Sequence, residues 1–70
     1  MAVSIEFQTR ITDLVAESDQ KRSDLPKLMG IDYSSLSNAL NYGIIPKPRL
    51  LIRIADFFNI SIAYLLGSSE

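Results

Sequence analysis

Apolar residues recur along this chain at helical spacing and nowhere alternate as a strand requires. After Ser4, the positions Phe7, Ile11, Leu14 and Val15 share one stripe of a helix. Ser4 is its expected N-cap, and the helix is expected to run to about Ser18. Its other face carries Glu6, Arg10, Asp13 and Glu17. Glu6 and Arg10, four residues apart, read as a solvated pair rather than a site.

A polar connection, Asp19 to Ser23, leads to Leu25, Leu28 and Met29 at helical spacing, then to Gly30, a typical residue just past a helix end. The second helix is expected over about residues 22–29, capped by Ser23. In that frame Pro26 sits in the first turn, where N–H groups have no intrahelical partner. A start nearer Lys21 would cost one bond. After Ile31, Asp32 is the expected N-cap of a third helix over about residues 33–42, with Leu36, Ala39 and Leu40 inward and Gly43 as its stop. At about 100° per residue, Ser34, Asn38 and Asn41 lie opposite the core, with Ser35, Ser37 and Tyr42 on the flanks. That outward face is uncharged and rich in hydrogen-bonding groups.

Two prolines make residues 44–48 a loop, and Pro48 suits the first position of a fourth helix. Its core stripe is Leu51, Ile54, Ala55 and Phe58, with Leu50 and Phe57 alongside. Asn59 ends it, Ile60 packs back, and Ser61 caps a last short helix, Ile62 to Leu66, stopped by Gly67. There is no internal repeat and no low-complexity tract. The expectation is an all-α fold of five helices in one domain over residues 1–70.

Composition narrows the function. The chain has 70 residues, 47% of them hydrophobic, with no Cys and no His. Zinc sites, thiol nucleophiles, disulfide scaffolds and imidazole catalysis are therefore excluded. The carboxylates form no paired arrangement suited to shifted acid–base chemistry. No catalytic residue, metal ligand, cofactor or small-molecule substrate is expected. The longest apolar run, Ile62 to Leu66, is far below the roughly 20 residues that span a bilayer, and the N-terminus has no basic, then apolar, leader. A cytoplasmic location is expected, and the absence of cysteine agrees with a reducing compartment.

The net charge of −1 conceals a polarity. From Lys21 to Arg53, six cations against two carboxylates give +4; the remainder carries −5. A basic middle on an acidic body suits a protein that meets phosphate with one face, although a small domain can acquire such asymmetry by chance.

Two short helices joined by a tight glycine-containing turn, the second with an uncharged polar face, form the pattern of a helix-turn-helix. The stretch from Leu25 to Gly67 resembles the lambda-repressor-like, Cro/C1-type (XRE) DNA-binding domains. The likeness rests on Leu25, the turn Met29-Gly30-Ile31, Ser34, Leu36, Ser37, Asn41 and Pro46. It continues through Leu51, Ile54-Ala55, Phe58, Ile60-Ser61 and Tyr64-Leu65-Leu66-Gly67; with Arg10-Ile11 and Leu14 it spans about residues 10–67. Lys21-Arg22 stands where the family commonly has a Ser-Gln pair, Pro26 where it has alanine, and Lys47 at a usual cap position.

The resemblance implies a compact bundle of about five helices that binds double-stranded DNA, bacterial or phage in origin. It assigns base reading to Tyr33, Ser34, Ser35 and Asn38, and contacts with the DNA backbone to Arg22, Asn41, Lys47 and Ser37. Asn pairs well with adenine, Ser with either kind of edge, and a Tyr ring meets a thymine methyl, whereas helix three lacks the Arg or Lys that reads guanine. An A·T-leaning half-site follows. The expected function is a sequence-specific transcriptional regulator, a repressor, working as a homodimer on DNA. Phe57, Ile60, Ile62, Leu65 and Leu66 offer a possible dimer surface, though core packing explains most of them. Two alternatives stay open: the polar face of helix three is merely solvated, or the fold serves as a protein-interaction module, such as an antitoxin or accessory regulator subunit.

Overall fold

The computed structural model describes residues 2–67. Five helices follow in order: α1 (Ile5–Glu17), α2 (Leu25–Met29), α3 (Tyr33–Tyr42), α4 (Pro48–Phe58) and α5 (Ile62–Leu65). Three begin with the capping bond expected of them. Ser4 Oγ accepts from the Phe7 amide at 3.2 Å, Asp32 Oδ2 from the Ser35 amide at 3.1 Å, and Ser61 Oγ from the Tyr64 amide at 3.0 Å. Each of these side chains satisfies one of the amides that a helix start leaves without a partner.

The second helix departs from expectation. It starts at Leu25, not near residue 22, and Ser23 is not its cap; Asp24 holds that position without a side-chain bond. Lys21 to Asp24 form a turn closed by the Asp24 amide on the Lys21 carbonyl at 2.9 Å. Pro26 is the reason: in a helix begun at residue 22, its ring would press on the Arg22 carbonyl four residues back. Starting at Leu25 leaves the proline in the first turn. Gly30 ends α2 in the left-handed conformation, and the Ile31 amide closes on the Pro26 carbonyl at 2.9 Å.

All five helices contribute to one core. Phe7, Ile11, Leu25, Leu36, Ile54 and Leu65 are fully buried, with Met29, Ile31, Ala39, Leu40, Leu51 and Ala55 around them. No buried polar or charged residue occurs among the described residues. Phe58 is half-buried rather than central, with its ring edge-on to Phe57 at 5.1 Å. Leu28 is 51% exposed, because Leu25 and Met29, four apart, already fill the inward stripe of so short a helix. The surplus of apolar side chains near the C-terminus is largely absorbed: Leu65 is fully buried, and Phe57, Ile60, Ile62 and Leu66 pack half-buried against the core.

One feature has no counterpart in the helical pattern. Residues 2–4 run antiparallel to residues 43–45, with the Ser4 amide on the Gly43 carbonyl and the Ile45 amide on the Ala2 carbonyl, both at 2.9 Å. Gln8 adds a bond from Nε2 to the Leu40 carbonyl at 3.0 Å. The start of α1 is thereby tied to the end of α3. Gly43 makes this possible. Its φ is +69°, and a Cβ there would lie 2.6 Å from the Ser4 carbonyl oxygen.

Candidate nucleic-acid interface

Helix α3 lies on the core through Leu36, Ala39 and Leu40, which turns the rest of its surface outward. Tyr33, Ser34 and Asn38 are exposed and Ser35 and Ser37 half-buried, so each of the four expected base readers has accessible surface. The angular reading of the helix is met.

The side chains on that face are ordered by their own bonds. At the N-terminal end, Asp32 holds both neighbouring serines: Ser34 Oγ donates to Oδ2 at 2.6 Å and Ser35 Oγ to Oδ1 at 2.8 Å. These hydroxyls, Ser34 first and then Ser35, stabilise the carboxylate and lower its pKa from 3.8 to about 2. Asp32 is therefore more than the simple cap suggested by the sequence. The legible trace of this is the spacing Asp32-x-Ser34-Ser35, which sets two hydroxyls within reach of one carboxylate.

At the other end, Arg22 Nη2 donates to Asn41 Oδ1 at 3.2 Å, and Asn41 Nδ2 donates to Ser37 Oγ at 3.1 Å. Three of the residues expected at the DNA backbone thus form a single chain of bonds, reaching from the turn before α2 to the last turn of α3. Arg22 is 19 residues from Asn41, and only the packing of α2 on α3 brings them together.

Lys47, the fourth, is the N-cap residue of α4 and makes no side-chain cap bond. It borders a cleft of about 440 Å³ shared with Asp32, Ser35 and Asn38, whose other side is Ile44, Ile45, Pro46 and Leu50. One cation therefore stands near each end of the exposed face of α3. No group of residues suited to holding a metal ion occurs among those described, and no described helix is long and apolar enough to cross a membrane.

Three of the carboxylates outside the basic segment lie together on α1. Glu6, Asp13 and Glu17 line an open groove along α1, closed at one side by Tyr64. Arg10 forms no ion pair with Glu6, contrary to the expected pairing: its guanidinium lies 4.5 Å from the centre of the Tyr64 ring and joins α5 to α1.

Comparisons with known proteins bear on the fold and the family. The chain is similar in structure to the SOS-response transcriptional repressor LexA from Eubacterium rectale, as determined in solution. The TM-score is 0.81 at 19% identity, over 100% of this chain and 78% of that one, which establishes the fold. No curated protein matches the sequence. A family profile described as helix-turn-helix matches residues 21–65, from the turn carrying Arg22 through α5. The chain belongs to the Cro/C1-type (XRE) helix-turn-helix family, whose members are DNA-binding transcription regulators.

Proposed function

We propose that this regulator is a repressor that occupies an operator, with α3 laid in the major groove of double-stranded DNA. The observation that carries the proposal is the exposed polar face of α3, with Tyr33, Ser34, Ser35 and Asn38 outward and a cation near each end. A helix fits the width of that groove, base edges are read by short polar side chains, and phosphates are met by the flanking charges. Arg22 acts at the backbone, positioned by Asn41 and Ser37, and Lys47 meets the backbone beside the cleft. The repressor direction is supported by the function named for the LexA neighbour. The protein works in the cytoplasm of a bacterium or in a phage-infected cell, as a two-fold homodimer whose α3 helices lie one DNA turn apart, roughly 34 Å. Binding by occupancy needs no cofactor and no catalytic group.

Selection from a random duplex pool at physiological salt tests this. The expected result is an enriched palindrome bound at least about a thousandfold better than scrambled DNA. Weak, salt-sensitive binding without enrichment would contradict it. The alternative, a module that reads a protein partner, draws on the absence of any cation within α3 and on the hydroxyls already bonded to Asp32. The pair Ser34→Ala and Asn38→Ala distinguishes the two. It abolishes sequence preference if α3 reads DNA and leaves partner binding intact if it does not.

A further inference from the structure

Two of the serines on the exposed face of α3 have their protons committed. Ser34 Oγ donates to Asp32 Oδ2 and Ser35 Oγ to Asp32 Oδ1, at 2.6 and 2.8 Å. A serine hydroxyl has one proton and two lone pairs. With that proton turned to Asp32, each hydroxyl offers only lone pairs to an approaching molecule. The exposed carboxylate between them is itself acceptor-only. A carboxylate is ionised at neutral pH, so this polarity is present there.

Next to these oxygens is the cleft of about 440 Å³, whose polar lining is Asp32, Ser35, Asn38 and Lys47 and whose apolar lining includes Ile44, Ile45 and Pro46. The major groove contains a counterpart to this combination. Its hydrogen-bond donors are the exocyclic amino groups of adenine and cytosine, whereas guanine and thymine present acceptors. Cytosine's partner would bring guanine O6 and N7 towards the carboxylate. Adenine's partner brings O4 and an apolar C5-methyl group instead.

Resting on the reading that α3 enters the major groove, the geometry points to Asp32 as a specificity-determining residue. Acting through the Ser34 and Ser35 hydroxyls, it makes that serine pair an acceptor-only edge that selects an adenine N6 amino group and turns guanine away. The cleft beside it receives the thymine methyl. Asp32 is a positioning residue in this arrangement, orienting two hydroxyls without itself touching the base. A carboxylate among phosphates weakens binding to every sequence, and what it supplies in return is a repulsive element against the wrong base.

Asp32→Asn tests this while preserving the fold, since Asn caps a helix about as well as Asp. Its amide nitrogen is a donor, which frees a serine proton to point outward. The duplex selected by the wild-type protein is remade with each alternative base pair at each half-site position. It is also made with purine deoxyriboside, which lacks the N6 amino group, in place of adenine. At one position the wild-type protein is expected to lose about tenfold in affinity on either guanine substitution or amino-group removal, and Asp32→Asn less than about threefold. The Ser34→Ala, Ser35→Ala double variant, which keeps the carboxylate cap, is expected to lose the same discrimination. An enriched site whose base profile is unchanged by Asp32→Asn, even if all affinities rise together, overturns this inference alone. Failure of the wild-type protein to prefer any sequence overturns the groove reading and this inference with it.

Discussion

Arg22 and Asn41 show how a side chain's role depends on what already holds it. Arg22 Nη2 is bonded to Asn41 Oδ1, and the Asn41 amide to Ser37, so the guanidinium is held in place while its remaining donors stay available to a phosphate. Arg22→Ala is expected to weaken binding to all DNA sequences about equally and to lower the salt slope by about 1, measured by titration over a range of salt. Asn41→Ala should produce a smaller loss. Combined with Arg22→Ala it should add almost nothing, because both changes break one chain of bonds. Asp32 has a consequence for stability as well. Its folded pKa of about 2 lies below its ordinary 3.8, so its contribution is present in full above about pH 4 and is lost as pH falls towards 2. Acid unfolding of the wild-type protein should show this loss, and Asp32→Asn should not show this component. These bonds were only partly legible in the sequence. The Asp32 cap follows from local spacing, but the Arg22–Asn41 bond spans 19 residues and exists only once α2 packs on α3.

The helices whose starts carry a strong local signal are the ones that the sequence places correctly. Ser4, Asp32 and Ser61 each precede an apolar stripe and each accepts the expected amide. The expected start of α2 near residue 22 is too early because the Pro26 ring would press on the Arg22 carbonyl, and Ser23, which resembles a cap, is not the N-cap residue. The pairing of residues 2–4 with residues 43–45 left no trace in the pattern, since two backbone bonds between distant segments impose no periodicity. Gly43 serves both elements at once, ending α3 and admitting the Ser4 carbonyl. Gly43→Ala combines a left-handed backbone with a contact of 2.6 Å to a backbone atom. It should destabilise the protein by roughly 1–3 kcal/mol, read from denaturant unfolding. Ile54→Ala, at the centre of α4, should cost about 2–5 kcal/mol through its cavity. In so small a domain, either loss is a large share of the total stability.

Residues 21–53 carry a net +4, six cations against two carboxylates, while Glu6, Asp13 and Glu17 line the α1 groove. With about six cations in the basic segment, of which two flank α3, the slope of log affinity against log salt should be shallower than that of strongly basic DNA binders. The all-α class, the five helices and the exposed face of α3 were legible because each depends on helical periodicity. A sequence pattern does not determine which cation borders the cleft, since that depends on how the loop before α4 packs beside α3. Amide chemical-shift mapping of the labelled protein, titrated with its selected duplex, tests the assignment of α3 as the reading element most directly. The account predicts the largest shifts in residues 32–42, with further shifts around Arg22 and Lys47 and little change along the acidic face of α1. Shifts concentrated on α1 or on the exposed side of α4, with α3 silent, would contradict it.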